Sequence, residues 1–356
     1  MNIYRKICII LILGLTIYIL SNLAEKRQHI LQQIHTPKKE EFTLFTTAKS
    51  ELEHCQSTLS TKVSLKSSST QNQSLSLKEF VIKSSWNTAR SGQFISTDTI
   101  QWVLSRGCRF LDFEVYSINQ APYVAYSTDP EYATMTSQNQ VLLSDVLRIL
   151  VTHGFSGPCP NPQDPLFIHL RIKSKNTAIY NLIGMAIENT LTDRLYIGQV
   201  TGDTNLSQIM GKIVLICDQT IDPTYLNIQN YGSTCQTVLD PSMNCFSLSK
   251  YINVQSGNKT LSIFTASNLS GMLTTPIQTD ESSQSTSSVQ NWRLVVPDDS
   301  DSIINTNALP LVKNYGAQII PNKFYTIDGQ LHKYEQFFND LGMAFVPFVS
   351  AIPYIQ

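Results

Sequence analysis

Two short apolar runs carry charged side chains at close spacing. Arg109–Tyr116 contains Asp112 and Glu114, and Leu166–Ile172 contains His169 and Arg171. His169 and Arg171 share parity, and in a strand that parity puts both side chains on one face. A carboxylate can ligate a divalent cation or move a proton, an imidazole titrates near neutrality, and a guanidinium pairs with carboxylate or phosphate. Acid–base chemistry needs two proton-transferring groups. His169 is the only histidine on a strand-like run; His153 follows a helical pattern, His332 lies in a turn, and His29, His35 and His54 come before the main apolar pattern. No second histidine is placed to complete a pair, and Asp112 with Glu114 has no evident partner acid. A lone strand histidine is more often a packed, hydrogen-bonded core residue than a catalyst. No P-loop or Gly-rich dinucleotide fingerprint is present, and none of the seven cysteines forms a C-x-x-C pair.

The elements that must position these residues alternate in type. Strand-like runs fall at Phe80–Ser84, Arg109–Tyr116, Tyr123–Tyr126, Leu166–Ile172, Lys212–Cys217, Trp292–Val296, Gln318–Pro321 and Met343–Phe348. Between several of them, Thr97–Arg106, Gln140–His153 and Thr177–Leu191 repeat apolar residues every three or four positions, the mark of amphipathic helices. Strand–helix alternation implies a parallel sheet covered by helices, and eight strands suggest closure into an α/β TIM-type (β/α)8 barrel. Periodicity alone leaves an open doubly wound sheet nearly as good a fit. Residues 219–269 interrupt the alternation and read as an elaborated loop with short strands. The Ser/Thr-rich stretch 278–290 reads as a disordered loop.

Strand ends are where a barrel of this kind keeps its chemistry, and there the sequence resembles the phosphoinositide-specific phospholipases C. Ser84-Ser85-Trp86-Asn87-Thr88 resembles that family's Ser-His-Asn-Thr-Tyr. Gly107-Cys108-Arg109 through Asp112, Glu114 and Tyr116 resembles Gly-Cys-Arg-x-x-Glu-x-Asp-x-Trp. Pro122 to Tyr126, Pro165 to Arg171, and Gly211-Lys212-Ile213-Val214-Leu215 follow in the family's order, and Tyr315 to Val346 resembles its last two strands. The resemblance covers about Phe80 to Pro353 and implies a PLC-like phosphodiesterase barrel. In the family one histidine deprotonates the attacking inositol hydroxyl and a second protonates the leaving oxygen. A calcium ion held by Asn, Glu, Asp and Glu stabilises the phosphorane.

The sequence departs from this pattern at several separate roles. Trp86 and Tyr126 stand at the histidine positions. Indole offers no acceptor lone pair, and a phenol with a pKa near ~10 is a weak acid substitute. Asn87 is kept as a calcium ligand, Asp112 and Glu114 exchange residue types, and the fourth ligand becomes Arg171. A cation there repels calcium and can itself fill the pocket, pairing with Asp112 or Glu114. No cofactor is therefore expected, with calcium only if the remnant site of Asn87, Asp112 and Glu114 functions. Arg171 and Arg293 are candidate ligand-binding residues, and His169 is a candidate substitute catalyst.

The ends and composition of the chain complete the expectation. Ile7–Leu23 carries no charge and is flanked by Arg5 and Lys6 before it and Glu25, Lys26 and Arg27 after it, which fits a single-pass membrane anchor over residues 1–24; a cleaved signal peptide is the rival, although Asn22-Leu23-Ala24 is a poor match to a cleavage site. Residues 25–78 read as a stalk and low-complexity linker, with Gln56–Ser76 dominated by Ser, Thr, Gln and Lys. The barrel occupies residues 79–356. Cys235 and Cys245 share one loop and form the candidate disulfide, while Cys108 and Cys217 read as buried thiols. A net charge of −1 over 356 residues argues against a nucleic-acid partner. The expected partners are a lipid bilayer and a phosphoinositide or other phosphodiester headgroup. The resulting reading is a membrane-anchored, catalytically degenerate phospholipase C-like protein, a binding or structural module. The alternative is an active phosphoric diester hydrolase with a rearranged site.

Overall fold

The structure is a computed structural model and describes residues 47–227, 245–274, 276–280, 285–286, 289 and 291–355. Its centre is a set of short parallel strands. β2 (Ser84–Ser85), β3 (Phe110–Ile118), β6 (Leu166–Ile172), β7 (Ile213–Asp218) and β8 (Val254–Ser256) pair in parallel in that order. β9 (Ser262–Thr265) pairs in parallel with β12 (Arg293–Val296), and β13 (Phe345–Pro347) runs antiparallel to β1 (Phe80–Ile82). Single bridges join these pieces: Ser256 to Leu261, Leu294 and Ile82 to Ile319, and Ser85 to Asn322. Among the described residues no continuous ladder closes the ring. Gln318–Pro321, expected as a strand, contributes through such bridges alone.

Strand parity separates two hydrophobic clusters. Phe110, Phe167, Val214 and Ile216 point inward, with Val254, Leu261, Trp292, Leu294 and Phe345 in the same inner cluster. Leu111, Phe113, Ile168, Leu170 and Leu215 point outward to the helices. Parallel register then stacks the inner residues in layers. Phe110 faces Phe167, Asp112 faces His169, and Glu114 faces Arg171. The interior thus changes from aromatic to ionic towards the carboxyl ends of the strands.

Helices cover the outside. α2 (Thr97–Ser105) is capped by Ser96, whose hydroxyl accepts from the Asp98 N–H, and buries Ile100, Trp102, Val103 and Leu104. α3 (Leu143–Gly154) buries Leu143, Val146, Leu147 and Leu150, and α4 (Ile179–Leu191) buries Ile179, Ile183, Ile187 and Leu191. α5 (Ala266–Ser270), α6 (Ala308–Tyr315), α7 (Gly329–Leu341) and α8 (Phe348–Ile355) follow. Full burial of one such leucine contributes roughly 1.5–3 kcal/mol.

Three expectations change here. Tyr123–Tyr126 is not a barrel stave: β4 (Ala121–Val124) folds back antiparallel on β3, and β5 (Val141–Leu142) adds antiparallel to β4. The reversal is forced by a turn at Asn119 and Gln120, both in the left-handed region. Residues 47–78 are also not a free linker. α1 (Ala48–Thr58) buries Leu52 and Cys55, and Leu59, Leu65 and Leu77 are buried beyond it. Their polar backbone is paired as well, since Ser64 N–H donates to Asn339 Oδ1, Lys66 N–H to the Gly342 carbonyl, and Ser68 N–H to Asp164 Oδ1. Composition missed this because a few leucines at the right places outweigh many serines. Within 278–290, β10 (Thr279–Asp280) and β11 (Ser285–Thr286) form an antiparallel pair.

The apolar run Ile7–Leu23 lies outside the described residues, and among those described no helix is long and apolar enough to cross a membrane. Cys108 and Cys217 are buried free thiols, as are Cys55 and Cys159. Cys245 is disulfide-bonded, and its expected partner Cys235 lies outside the described residues.

Candidate functional site

Asn87, Asp112, Glu114, His169 and Arg171 meet at the carboxyl end of the parallel strands. Arg171 is the hub. Its Nε donates to Asp112 Oδ1 at 2.8 Å and one Nη to Asp112 Oδ2 at 2.6 Å, a side-on bidentate pair. The same Nη donates to Asn87 Oδ1 at 2.6 Å, and the other to Glu114 Oε1 at 2.7 Å. The Trp86 ring lies 3.7 Å from the guanidinium carbon and covers its face. Asn87 reaches this position from a left-handed backbone, φ 43°, which asparagine tolerates better than most residues.

The acidic oxygens are fully committed. Asp112 Oδ1 also accepts from His169 Nδ1 at 2.8 Å, and Oδ2 from the Asn87 backbone N–H at 3.0 Å. Glu114 Oε1 also meets Lys173 Nζ at 3.0 Å, and Glu114 Oε2 accepts from the Tyr116 hydroxyl. Burial raises the Asp112 carboxyl, but Arg171 and then His169 outweigh it and hold the group well below the usual carboxylate range. Burial likewise lowers Arg171, and the two carboxylates more than reverse this, so the guanidinium stays charged. With Lys173 and Arg171 against Asp112 and Glu114 the cluster is neutral. A calcium ion does not fit this donor set, because Arg171 occupies the inward oxygens of Asn87, Asp112 and Glu114. Among the described residues no group of three or more His, Cys, Asp or Glu is arranged to hold a metal.

His169 is fully buried and tilted against Phe110, with ring centroids 5.5 Å apart. A carboxylate only accepts, so Nδ1 donates to Asp112, and Nε2 lies 2.9 Å from Ser256 Oγ, which also donates to the Cys217 carbonyl at 3.4 Å. Asp112, His169 and Ser256 thus form an Asp–His–Ser chain, with every member 0% exposed. Gly257 turns the backbone just past Ser256 at φ 91°, where a Cβ would lie 2.3 Å from Thr220 Cγ2.

Trp86 and Tyr126 are both buried. Trp86 Nε1 donates to Ser300 Oγ at 3.0 Å. The Tyr126 phenol is pushed up by burial and by a hydrogen bond to Asp301, with Arg90 opposing. Arg90 was not anticipated: its guanidinium lies 3.9 Å from the Tyr126 ring centre and 4.6 Å from that of Tyr325. It follows Asn87 by three residues, a spacing the motif comparison could have exploited. Ser256 gave no such signal, since it sits in a stretch read as loop. Arg293 is not brought to this cluster. It begins β12, its guanidinium donates to the Tyr315 carbonyl, and burial lowers its pKa.

No protein-family model matches the chain, and no curated protein matches it in sequence. Solved structures do match in shape. PLC21 of S. officinalis superposes with a TM-score of 0.53 at 15% identity, over 78% of this chain and 37% of that one. PLC21 of L. pealei gives 0.53 at 14% identity, over 88% of this chain and 46% of that one. The chain therefore spans less than half the length of either. A calcium-dependent phosphoinositol-specific phospholipase C from Pseudomonas sp. superposes more loosely, with a TM-score of 0.41 at 10% identity, over 74% of this chain and 96% of that one. At 14–15% identity these matches show that the chain shares the fold of those phospholipase C structures.

Proposed function

We propose that this chain is a membrane-held phospholipase C-like protein that binds a phosphoinositide or other phosphodiester headgroup at its mouth without efficient cleavage. The observation that carries the reading is the Arg171 guanidinium bound among Asn87, Asp112 and Glu114 beneath Trp86. The Arg171 guanidinium stands where the resemblance places a calcium ligand, its charge balanced by Asp112 and Glu114, and the proton-transfer groups are replaced. Trp86 can only donate, and it already donates to Ser300. Tyr126 is held protonated by burial and Asp301. Acid–base assistance is typically a factor of about 10²–10⁴, and both of its usual providers are replaced. No step is assigned to calcium.

Membrane attachment is part of the proposal and rests on the Ile7–Leu23 run. A tethered domain sees headgroups at high effective concentration, so weak affinity suffices. The test uses the full chain in lipid nanodiscs, with phosphatidylinositol hydrolysis followed with and without calcium. No turnover above background is expected, while phosphatidylinositol vesicles are retained better than phosphatidylcholine vesicles.

One observation favours a second reading, an active phosphodiesterase. The Asp112–His169–Ser256 chain has the bond order of a nucleophile–base–orienter set. Its complete burial and the bond from Asp112 to Arg171 argue for a structural role. Hydrolysis that is measurable in the wild type and lost in His169→Ala would reverse this ranking.

A further inference from the structure

Residues 298–305 form a strap beside Trp86, held at several points. Ser300 Oγ accepts from Trp86, the Ser300 carbonyl accepts from the Tyr325 hydroxyl at 3.2 Å, and Lys323 Nζ donates to the Asp299 and Ser302 carbonyls at 3.3 and 2.5 Å. The strap also delivers a carboxylate. Asp301 Oδ1 lies 3.4 Å from both Nη atoms of Arg90.

Arg90 is unusually well fixed for an arginine at an opening. Its guanidinium lies against both the Tyr126 and the Tyr325 ring, and its Nε donates to the Gly92 carbonyl at 2.6 Å. That carbonyl is itself fixed from α1. The buried Glu51 carboxylate accepts from Ser91 Oγ at 2.7 Å, from the Gln93 N–H at 2.8 Å and from the Phe94 N–H at 3.2 Å. Gly92 packs closely on this carboxylate, and a Cβ there would lie 2.8 Å from it. With Nε engaged, the two Nη groups form a preorganised fork pointing at the strap. Asp301 uses that fork poorly: both contacts go to a single oxygen, and 3.4 Å is well beyond the ~2.7–2.9 Å of a charge-assisted hydrogen bond. The Asp301 side chain is 44% exposed and that of Arg90 14% exposed. The anion is replaceable from solvent while its receptor is fixed.

We propose that Arg90, flanked by Tyr126 and Tyr325, is an anion subsite for a phosphate group, and that Asp301 is its built-in competitor. A tetrahedral phosphate can offer two oxygens to the fork where the strap offers one, so phosphate outcompetes the carboxylate once it displaces Asp301. Binding then releases one attachment of the strap over Trp86. The Tyr126 hydroxyl, which hydrogen-bonds to Asp301, becomes available to the same ligand. The subsite rests on the reading of this mouth as a place for a phosphate-bearing ligand. Inorganic phosphate and a phospholipid headgroup share the required chemistry.

The experiment separates these sources and the two proposals. Wild type, Asp301→Asn and the Asp301→Asn/Arg90→Lys double variant are titrated calorimetrically with inorganic phosphate. In parallel they are mixed with phosphatidylcholine vesicles with and without phosphatidylinositol. Asp301→Asn keeps the size of the exposed side chain and removes its charge, and a thermal melt confirms folding. The expected result is about tenfold tighter phosphate binding in Asp301→Asn, worth about 1.4 kcal/mol, with the gain lost in the double variant because lysine keeps the charge but not the fork. No gain in Asp301→Asn, or a gain that survives Arg90→Lys, overturns the subsite. A phosphate gain without vesicle binding supports the subsite and overturns the lipid reading. Phosphatidylinositol-dependent vesicle binding unaffected by either substitution overturns the subsite and leaves the lipid reading standing.

Discussion

Among the described residues, two buried ionic clusters are built differently. Between α2 and α7, Glu335 serves two cations: Lys83 Nζ lies 2.6 Å from Oε1, and Arg106 Nε donates to Oε2 at 2.9 Å. Spare donors there go to backbone, from Lys83 to the Arg106 carbonyl at 2.7 Å and from Arg106 to the Thr61 carbonyl at 2.5 Å. That cluster ties chain segments together. The Arg171 cluster spends its guanidinium on side chains alone, those of Asn87, Asp112 and Glu114, under an aromatic cover. A cation bonded to carbonyl ends is a clasp. A cation bonded only to inward side chains at strand ends occupies a place that, in this fold, belongs to ligands.

The sharpest way to break this comparison is to remove the hub of each cluster. Glu335→Ala leaves two buried cations without a counter-charge, and Arg171→Met leaves two buried carboxylates. Each is expected to cost about 3–5 kcal/mol at pH 7 by urea denaturation. Their pH dependences should run in opposite directions. In the wild type Asp112 is depressed, so its contribution is present above the ordinary carboxylate pKa and is lost only when pH falls through the lower folded value. In Arg171→Met burial acts without the guanidinium and raises Asp112. The penalty is then full at neutrality and shrinks as pH falls towards about 4. An uncompensated buried ammonium in Glu335→Ala is relieved by losing its proton, so that penalty shrinks as pH rises. Parallel pH profiles for the two variants would show that the clusters are electrostatically alike and that the distinction drawn above is wrong.

A smaller effect separates the cover from the hub. Trp86→Leu removes the ring over Arg171 and the bond to Ser300 but leaves the ion pairs intact. The expected loss is about 2 kcal/mol, combining a desolvated cation–π contact with one hydrogen bond. Amide exchange should quicken in residues 298–305, which hold to the mouth partly through Trp86, and stay unchanged at Glu335. Unchanged exchange in the strap would mean that Trp86 does not secure it.

Much of this architecture was legible because it follows from parity and order. The layers Asp112–His169 and Glu114–Arg171 come from alternation in two strands, and the pairing of Arg171 with the carboxylates came from its charge at a ligand position. What stayed hidden depends on partners distant in sequence. Val254–Ser256 and Ser262–Thr265 are too short to show a period, yet they complete the parallel set and supply Ser256. Residues 56–76 looked unable to fold because composition counts side chains, whereas Leu59 and Leu65 pack into a core contributed by the rest of the chain. Nothing in the sequence marks the setting of Arg90, because only the fold brings Tyr126 and Tyr325 to its guanidinium.

The smallest predicted effect tests the least obvious part of the Arg171 cluster. Ser256 stands on the far side of His169 from Asp112 and accounts for the second ring nitrogen. If the Asp112–His169–Ser256 chain only satisfies buried polar groups, Ser256→Ala removes the hydrogen bonds to His169 and to the Cys217 carbonyl and costs about 1 kcal/mol. Headgroup binding should not change, because Ser256 is fully buried beneath the mouth. A working nucleophile would behave differently. Stability would barely move, while hydrolysis of a phosphodiester would fall by orders of magnitude, since the loss of such a group removes a reaction step rather than a contact. Measuring stability and turnover on the same variant decides which the chain is. A structural role moves the first and leaves nothing in the second to lose.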